Sequence, residues 1–244
     1  MANDAAFRFA PRCAARLPRP EPTHAVSTLN PLLSLSTAQV AVEAVATLAF
    51  ALSGLIEAAR RKLDAVGVCV VAGLAAFGGG TLRDVLLDRR PFFWVQHAAW
   101  LWALLALCIG AMLFLRRRHF GLTERAMQWP DALGLGLFSA AGTQIALDNG
   151  SPALVAVLMG VVTAVFGGVL RDIVCNEIPR AFSDHRPYAV CAFAGGWLLV
   201  GAQWAGLSAD AALVVGAGAA TLLRGVALVS GWTLPAWQVG EKKD

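Results

Sequence analysis

The chain has 244 residues, of which 57% are hydrophobic and 15% are charged, and its mean hydropathy is +0.62. This apolar share exceeds that of an ordinary soluble domain, so the composition indicates an integral membrane protein. Lys and Arg outnumber Asp and Glu by 20 to 16, but they come in short runs between apolar segments, which is a topology signal and not a nucleic-acid-binding surface. The five cysteines lack metal-ligand spacing, and we expect no metal and no cofactor.

Residues 1–36 form a basic N-terminal tail in which arginines alternate with Ala and Pro. The tail contains no continuous apolar core of the length found in signal peptides. We expect it to be disordered and assign it no function.

Apolar segments then follow near residues 40–58, 65–87, 95–115, 130–147, 152–174, 188–205 and 210–229. A helix that crosses a bilayer core needs roughly 17 to 25 residues, and these segments fit that range. The sequence therefore predicts an all-α integral membrane protein with seven transmembrane helices.

An internal repeat relates the two halves of the chain. The stretch AFGGGTLRD, which ends at Asp84, returns as VFGGVLRD, which ends at Asp172. The same offset of 88 positions pairs Glu43 with Asp131, Phe50 with Phe138, Gly54 with Gly142, Ala76 with Ala164, Pro91 with Pro179 and His97 with His185. A match of this length indicates a tandem duplication. We divide the chain into the tail, a first three-helix repeat at 37–126, a second at 127–206, and a seventh helix with the C-terminus at 207–244.

The distribution of Lys and Arg predicts the topology. The loops on one side carry Arg60, Arg61, Lys62, Arg116, Arg117, Arg118, Arg125, Arg180, Arg186, Lys242 and Lys243, and the other side carries Arg89, Arg90 and the tail arginines. The first side should be cytoplasmic, with the N-terminus outside the cell membrane and the C-terminus inside. Because each repeat has an odd number of spans, the repeats are inverted. The interface of inverted repeats is a common position for a permeation path.

Glycine runs lie at equivalent positions in the two repeats. Gly78, Gly79 and Gly80 lie in the later part of the second helix, and Gly167 and Gly168 in the later part of the fifth. Consecutive glycines weaken a helix and permit a kink, and irregular backbone at membrane depth is found where protein or a wet cavity surrounds it. The alternative is close helix packing. The duplication of the run favours kinks beside a pore.

A charged pair follows each glycine run: Arg83 with Asp84, and Arg171 with Asp172. Charges deep in lipid cost several kcal/mol, so these side chains should face a cavity, a partner or the interface. Neighbouring residues on a helix point to different faces, and we therefore expect neither Arg to pair with the adjacent Asp.

Partners for the arginines come instead from the helix that precedes each run. The topology brings Glu43 to the membrane face at which Arg83 lies, and Asp131 to the opposite face with Arg171. We predict two symmetry-related ion pairs that close the two ends of one path, with the carboxylates of Asp84 and Asp172 near the path favouring cations. The alternative is that the arginines only reach lipid headgroups as anchors.

Other polar residues are weaker candidates. Ser53, Ser139, Thr143 and Gln144 are spaced to line one face of the path, although hydroxyls in membrane helices more often bond to their own backbone or to a neighbouring helix. Arg224 and the basic run at 116–118 are consistent with contacts to anionic lipid. The absence of a nucleophile with a base argues against an enzyme.

Residues 40–237 resemble the trimeric intracellular cation (TRIC) channels in their prokaryotic branch, a family once labelled glycine transporter. The resemblance rests on FGGGTLRD and FGGVLRD, on Pro91 and Pro179 after them, and on the closing GWTLP at 231–235. It implies a homotrimer in which each protomer has its own pore for K⁺ and Na⁺, bounded by the first, second, fourth and fifth helices and bent at the glycines. Val169 follows the second run, which implies a stiffer kink there.

Two other functions compete with a channel. Inverted repeats with broken helices are also common in secondary transporters, so a carrier of a small solute such as glycine is the main alternative. A structural or lipid-scaffolding membrane protein would use the charges as anchors and carry no flux.

Overall fold

The computed structural model describes residues 36–96, 98–115 and 124–235. Residues 1–35 of the predicted disordered tail, His97, the basic run at 116–118 and the residues after 235 lie outside the described residues. The described residues form the helices α1 (Thr37–Arg60), α2 (Ala65–Leu86), α3 (Phe93–Gln96), α4 (Ala99–Leu115), α5 (Glu124–Asp148), α6 (Ala153–Val174), α7 (Arg180–Ser183), α8 (Ala189–Trp204) and α9 (Ala209–Ser230). Across these ranges the chain contains no strand.

Local sequence explains where the long helices begin. At the start of α1 the Ser36 hydroxyl accepts from the Gln39 amide at 3.1 Å, and the Gln39 side chain accepts from the Ser36 amide at 2.8 Å. Asp64 caps α2 by accepting from the Gly67 amide at 2.7 Å, and Ser208 caps α9. These side chains satisfy amide groups that have no partner within the helix.

Four helices in the described part of the chain are long and apolar enough to cross a membrane, namely α1, α2, α6 and α9. Helices α4 and α8 are apolar but shorter. Helix α5 has 25 residues and includes Glu124, Arg125, Asp131 and Asp148, which lower its hydropathy. The prediction of an all-α membrane protein is confirmed, and the count of seven spans stays a prediction.

Helix α5 differs from the predicted segment at its start. The apolar pattern begins near residue 130, but the helix begins at Glu124 and continues through Pro130. Proline lacks an amide hydrogen, so one helical hydrogen bond is missing at residue 130 although the helix is continuous. The expected border between the repeats, at residues 126 and 127, therefore lies inside α5.

The centre of the molecule consists of α1, α2, α5 and α6, and counterparts from the two halves pack on each other. Along α1 and α5, the Gln39 side chain bonds to Asp148 at 2.8 Å, and the Phe50 and Phe138 rings stack at 5.5 Å. Residue numbers increase along α1 while those of their α5 partners decrease, so these two helices run antiparallel. Phe50 and Phe138 belong to the hydrophobic core.

The remaining helices cover this centre unequally. Helix α4 packs mainly on α2, whereas α8 packs on α5, α6 and α9. Helix α9 lies mainly against α5 and α8, where Gly136 and Gly195 allow close contact with Ala217, Thr221 and Ala220. The second half of the chain is therefore covered by an additional helix that packs little on the first half.

Candidate functional site

A first charged cluster, formed by Glu43, Arg83 and Asp84, joins α1 to the end of α2. Arg83 donates from Nη1 to Glu43 Oε1 at 2.7 Å and from Nε to Asp84 Oδ1 at 2.9 Å. Asp84 Oδ2 accepts from the backbone amide of Phe93 at 3.2 Å. Arg83 Nη2 also lies 2.9 Å from Asp84 Oδ1, but its direction leaves it without a hydrogen bond in the described part of the chain.

A second charged cluster, formed by Asp131, Arg171 and Asp172, joins α5 to the end of α6 with the same bonds. Arg171 donates from Nη1 to Asp131 Oδ1 at 2.7 Å and from Nε to Asp172 Oδ1 at 2.8 Å. Asp172 Oδ2 accepts from the backbone amide of Arg180 at 3.0 Å. The two predicted contacts between an arginine and the preceding helix are therefore both present, and their role in closing a path stays a prediction.

Both clusters are buried and carry an excess of acid. Their six charged residues are between 1% and 7% exposed. Each cluster contains two carboxylates and one guanidinium, which gives a formal charge of −1. Burial of charge at this depth is costly unless every group is paired, and the arginine bridges both acids in each cluster.

The expectation that neither arginine would pair with the adjacent aspartate is wrong. Arg83 binds Asp84, and Arg171 binds Asp172, in both cases through Nε. Adjacent side chains do leave a helix in different directions, but a guanidinium has five donors arranged as a fork. The long arginine side chain therefore reaches across to the preceding helix with Nη1 while its Nε faces the neighbouring carboxylate.

The second cluster has two further partners. Arg171 Nη1 donates to the Ser53 hydroxyl, which in turn donates to Asp131 Oδ1 at 3.3 Å. The Tyr188 hydroxyl donates to Asp131 Oδ2 at 2.7 Å. At the repeat offset, Ser53 corresponds to Ala141, which has no hydroxyl. The second cluster is therefore held by more hydrogen bonds than the first.

The last glycine of each run makes space for an aromatic ring beside the arginine. A Cβ atom at Gly80 would lie 2.6 Å from the Phe93 ring, and one at Gly168 would lie 3.3 Å from the Tyr188 hydroxyl. The Phe93 ring lies 5.7 Å from the Arg83 guanidinium. At the first cluster, Gly80 makes space for Phe93, which has no hydrogen-bond donor on its ring. At the second, the equivalent Gly168 makes space for Tyr188, which has a hydroxyl.

Gly79 and its repeat counterpart Gly167 bring α2 and α6 together. A Cβ atom at Gly79 would lie 2.0 Å from the carbonyl oxygen of Thr163, and one at Gly167 would lie 2.3 Å from that of Ala75. The two contacts are equivalent, because Ala75 corresponds to Thr163 and Gly79 to Gly167 at the repeat offset. Both helices are continuous through the runs, so the contacts indicate close packing, and the predicted kink at Gly78–80 and Gly167–168 stays a prediction.

Most of the weaker polar candidates bond to the protein itself. Ser139 donates to the carbonyl oxygen of Ala192 at 2.6 Å, and Thr143 donates to that of Ser139 at 2.8 Å. Gln144 donates to Asp148 at 2.8 Å. The bonds of the two hydroxyls are those of helix packing, and Ser53 alone among the four candidates joins a charged cluster.

Sequence reasoning missed a buried acid next to the second cluster. Glu57, which is 1% exposed, accepts from Arg60 at 2.7 Å, from Arg61 at 3.1 Å and from Arg180 at 3.1 Å. The hydrogen bonds from Arg61 to Glu57 and to Glu177 raise the pKa of Arg61. The available signal was the spacing of Glu57 three and four residues before two arginines, which places the groups on one helix face.

The stacked pair of Phe50 and Phe138 lies between the two clusters. Glu43 precedes Phe50 by seven residues, and Asp131 precedes Phe138 by seven. Because α1 and α5 are antiparallel and a helix rises 1.5 Å per residue, the two carboxylates lie on the order of 20 Å apart along the axis.

Among the described residues, no group of three or more His, Cys, Asp or Glu could hold a metal ion.

Fold and site together define a multi-helix membrane protein with two equivalent charged clusters buried at opposite ends of its central helices. Solved structures share this fold. The TRIC trimeric intracellular cation channel orthologue from Rhodobacter sphaeroides aligns with a TM-score of 0.74 and 32% identity, over 81% of this chain and all of that one. A structure solved to explain conductance through TRIC cation channels aligns with a TM-score of 0.73 and 28% identity, over 83% of this chain and 98% of that one.

Sequence relatives agree with the structures. A membrane protein of Vibrio cholerae serotype O1 is 36% identical over 187 residues, which are 75% of this chain and 76% of the relative. The inner membrane protein YadS of Escherichia coli K12 is 36% identical over 157 residues, 64% of this chain and 74% of that protein. The family model described as glycine transporter matches residues 40–118 and 128–204. The chain belongs to this family, the prokaryotic TRIC family, and the resemblance seen in its sequence is confirmed.

Proposed function

We propose that this protein is a channel for the monovalent cations K⁺ and Na⁺, with one permeation path per protomer between α1, α2, α5 and α6. The observation that carries the proposal is the composition of the two buried clusters, each with two carboxylates and one guanidinium. A formal charge of −1 at both ends of a path attracts cations and repels anions. Similarity to solved TRIC cation channels supports the same function and a non-enzymatic one.

In this proposal, the conformation seen in the structure is the closed state of the channel. The guanidiniums of Arg83 and Arg171 bind across to α1 and α5 at the two ends, and the rings of Phe50 and Phe138 stack between them at 5.5 Å. Conduction requires the ion pairs to separate and the rings to part. Bending of α2 and α6 at their glycine runs is the movement that we propose for this opening.

The two clusters face opposite sides of the membrane in our proposal. Seven helices in two inverted three-helix repeats, followed by α9, would produce this arrangement, and the opposite directions of α1 and α5 support it. The first cluster then lies at the outer face, and the C-terminus is cytoplasmic. We also propose a homotrimer, by analogy with the R. sphaeroides protein, and contacts of the cytoplasmic basic residues with anionic lipid.

Planar-bilayer recording of the purified protein in asymmetric KCl tests the function. A channel should show discrete current steps and a reversal potential close to that of K⁺. The variants Asp84→Asn and Asp172→Asn each remove one formal negative charge from a cluster and should shift the reversal potential toward zero. The matched control is Asp88→Asn, because the Asp88 side chain is 95% exposed.

Two results would contradict the proposal. A silent bilayer together with saturable solute uptake into proteoliposomes would make the protein a carrier, the function that the family description suggests. A silent bilayer without any uptake would leave a structural role in the membrane.

A further inference from the structure

Helix α9 contacts the segment beside the second cluster through a buried arginine. Arg224 is 3% exposed and donates from Nη1 to the carbonyl oxygen of Pro187 at 3.2 Å. Its Nη2 lies 3.6 Å from Asp184 Oδ2, and its guanidinium lies 4.8 Å from the centre of the Tyr188 ring. Arg224 therefore holds the segment between α7 and α8 at three points.

Tyr188 connects Arg224 to the charged residues of the second cluster. The side chain is 5% exposed, and its hydroxyl donates to Asp131 Oδ2 at 2.7 Å, while Asp131 Oδ1 binds Arg171. The contacts thus run from Arg224 through Tyr188 and Asp131 to Arg171. The chain beyond α9 adds a contact to the same segment, because the Leu234 amide donates to the carbonyl oxygen of His185 at 2.6 Å.

Within residues 36–96, 98–115 and 124–235, no equivalent of this chain of contacts reaches the first cluster. Phe93 fills the space beside Gly80 and offers no hydroxyl to Glu43. Helix α9 occurs once, after both repeats, and packs mainly on α5 and α8. At its start, α9 also bonds to the cap of α1, where the Ser36 hydroxyl donates to Asp210 at 2.6 Å, but the contacts that lead from α9 to a cluster carboxylate are those through Tyr188.

The contact between α9 and the segment is incomplete. Arg224 Nε and Asp184 Oδ2 are buried and have no hydrogen-bond partner among the described residues. Buried polar groups without partners are unfavourable, so a small movement of α9 that aligns the guanidinium with Asp184 would improve these contacts.

We infer that Tyr188, held by Arg224 of α9, is a positioning residue that keeps Asp131 bonded to Arg171 and makes the second end of the path harder to open than the first. The inference rests on the proposed channel function. Through this contact, α9 controls the opening of one end of the path. Tyr188 itself carries no charge and binds no ion.

Single-channel recording of the full-length protein tests this role with Tyr188→Phe and Arg224→Gln. Tyr188→Phe removes the hydroxyl and keeps the ring beside Gly168 and over Arg224. The loss of a hydrogen bond to a carboxylate should raise the ratio of open to closed time about tenfold. Unit conductance and reversal potential should not change, because the charges of the clusters remain. A merely structural role would leave the ratio unchanged.

The double variant tests whether both residues act in one step. If Arg224 acts through Tyr188, Arg224→Gln should raise the open ratio in the presence of Tyr188 and add nothing to Tyr188→Phe. Arg224→Lys keeps the charge near Asp184 and should recover part of the wild-type ratio. Independent effects that multiply in the double variant would overturn the assignment to α9.

The matched control is Trp94→Phe, which removes another aromatic donor beside the first cluster. Trp94 Nε1 donates to the Thr81 hydroxyl at 3.0 Å and not to a cluster carboxylate, so the ratio of open to closed time should stay at the wild-type value.

Size-exclusion chromatography establishes that each variant is folded. If the wild type conducts and folded Tyr188→Phe gates like it, the inference fails and the channel function stands. If the wild type never conducts, the proposed function and the inference both fail.

Discussion

The two charged clusters have the same bonds at their centre and different surroundings. In each, one arginine joins an acid on the preceding helix to the acid beside it. The second cluster adds Ser53 and Tyr188 to the carboxylate of Asp131, whereas Glu43 has neither kind of partner among its bonds to described side chains. The duplication thus kept the three charges and allowed the neighbouring positions to diverge.

Two arginines in the loops, one near each cluster, also have different surroundings. Near the second cluster, Glu57 and Glu177 compensate Arg61 and raise its pKa. Near the first, burial and the charge of Arg83 lower the pKa of Arg89. Arg61 therefore has two carboxylate partners near the second cluster, whereas burial is the main effect at Arg89 near the first.

The largest effect is expected on removal of a cluster arginine. Arg171→Met and Arg83→Met leave buried carboxylates without a counter-charge, which costs about 3 to 5 kcal/mol of unfolding free energy. Arg171→Met should cost more, because Arg171 also binds Ser53. Thermal unfolding in detergent measures both, with exposed Arg90→Met as the control. Equal losses would remove the energetic difference between the clusters.

Gly79→Ala and Gly167→Ala test whether the two halves are equivalent at the crossing of α2 and α6. Each new methyl group would meet a carbonyl oxygen of the other helix at about 2 Å, and overpacking of this kind costs about 1 to 3 kcal/mol. Gly110→Ala is the control, since a Cβ atom there has nothing within 4 Å. We expect similar losses of thermal stability for the first two variants and none for the control. A loss at only one glycine would contradict the symmetric crossing.

Ser53→Ala probes the extra hydroxyl of the second cluster. Arg171 and Asp131 would lose a partner that both contact, and a hydrogen bond of this kind contributes about 1 kcal/mol. Thr47→Val is the matched control, because the Thr47 hydroxyl donates to the backbone carbonyl of Glu43 in its own helix and not to a cluster side chain of the described chain. If the two variants lose the same stability in thermal unfolding, Ser53 does not strengthen the cluster.

The smallest effects are expected at two long ion pairs beyond the clusters, of which Arg90–Asp88 is exposed and Arg186–Asp184 is partly buried. Arg90 lies 3.9 Å from Asp88, and Arg186 lies 3.9 Å from Asp184. Pairs in contact with water contribute little, so Arg90→Ala and Arg186→Ala should each change the unfolding free energy by no more than about 0.5 to 1 kcal/mol. A larger loss in either variant would mean that the loops, and not the buried clusters, distinguish the two ends.

The sequence was sufficient to predict the long helices and the partner of each arginine on the preceding helix, because the repeat offset and the positions of the charges in the spans restrict which side chains can meet. It wrongly excluded the adjacent aspartates, which the arginines bind through Nε. It did not predict Tyr188, since its contact with Asp131 depends on the path of the loop before α8. At the repeat offset, Gly79 corresponds to Gly167 and Gly80 to Gly168, so Gly78 is the glycine without a counterpart and Phe166 takes its place. The stiffer kink expected at the second run stays a prediction.

Recording of Glu43→Gln, Asp131→Asn and the double variant tests the central claim that the two clusters close one path in series. These changes weaken the cross-helix ion pairs and keep side-chain shape and the neighbouring Asp84 and Asp172. Each single variant should raise the open probability, and the double variant should raise it by the product of the two effects, because independent closures in series multiply. Open probabilities that remain at the wild-type value in all three folded variants would contradict the account.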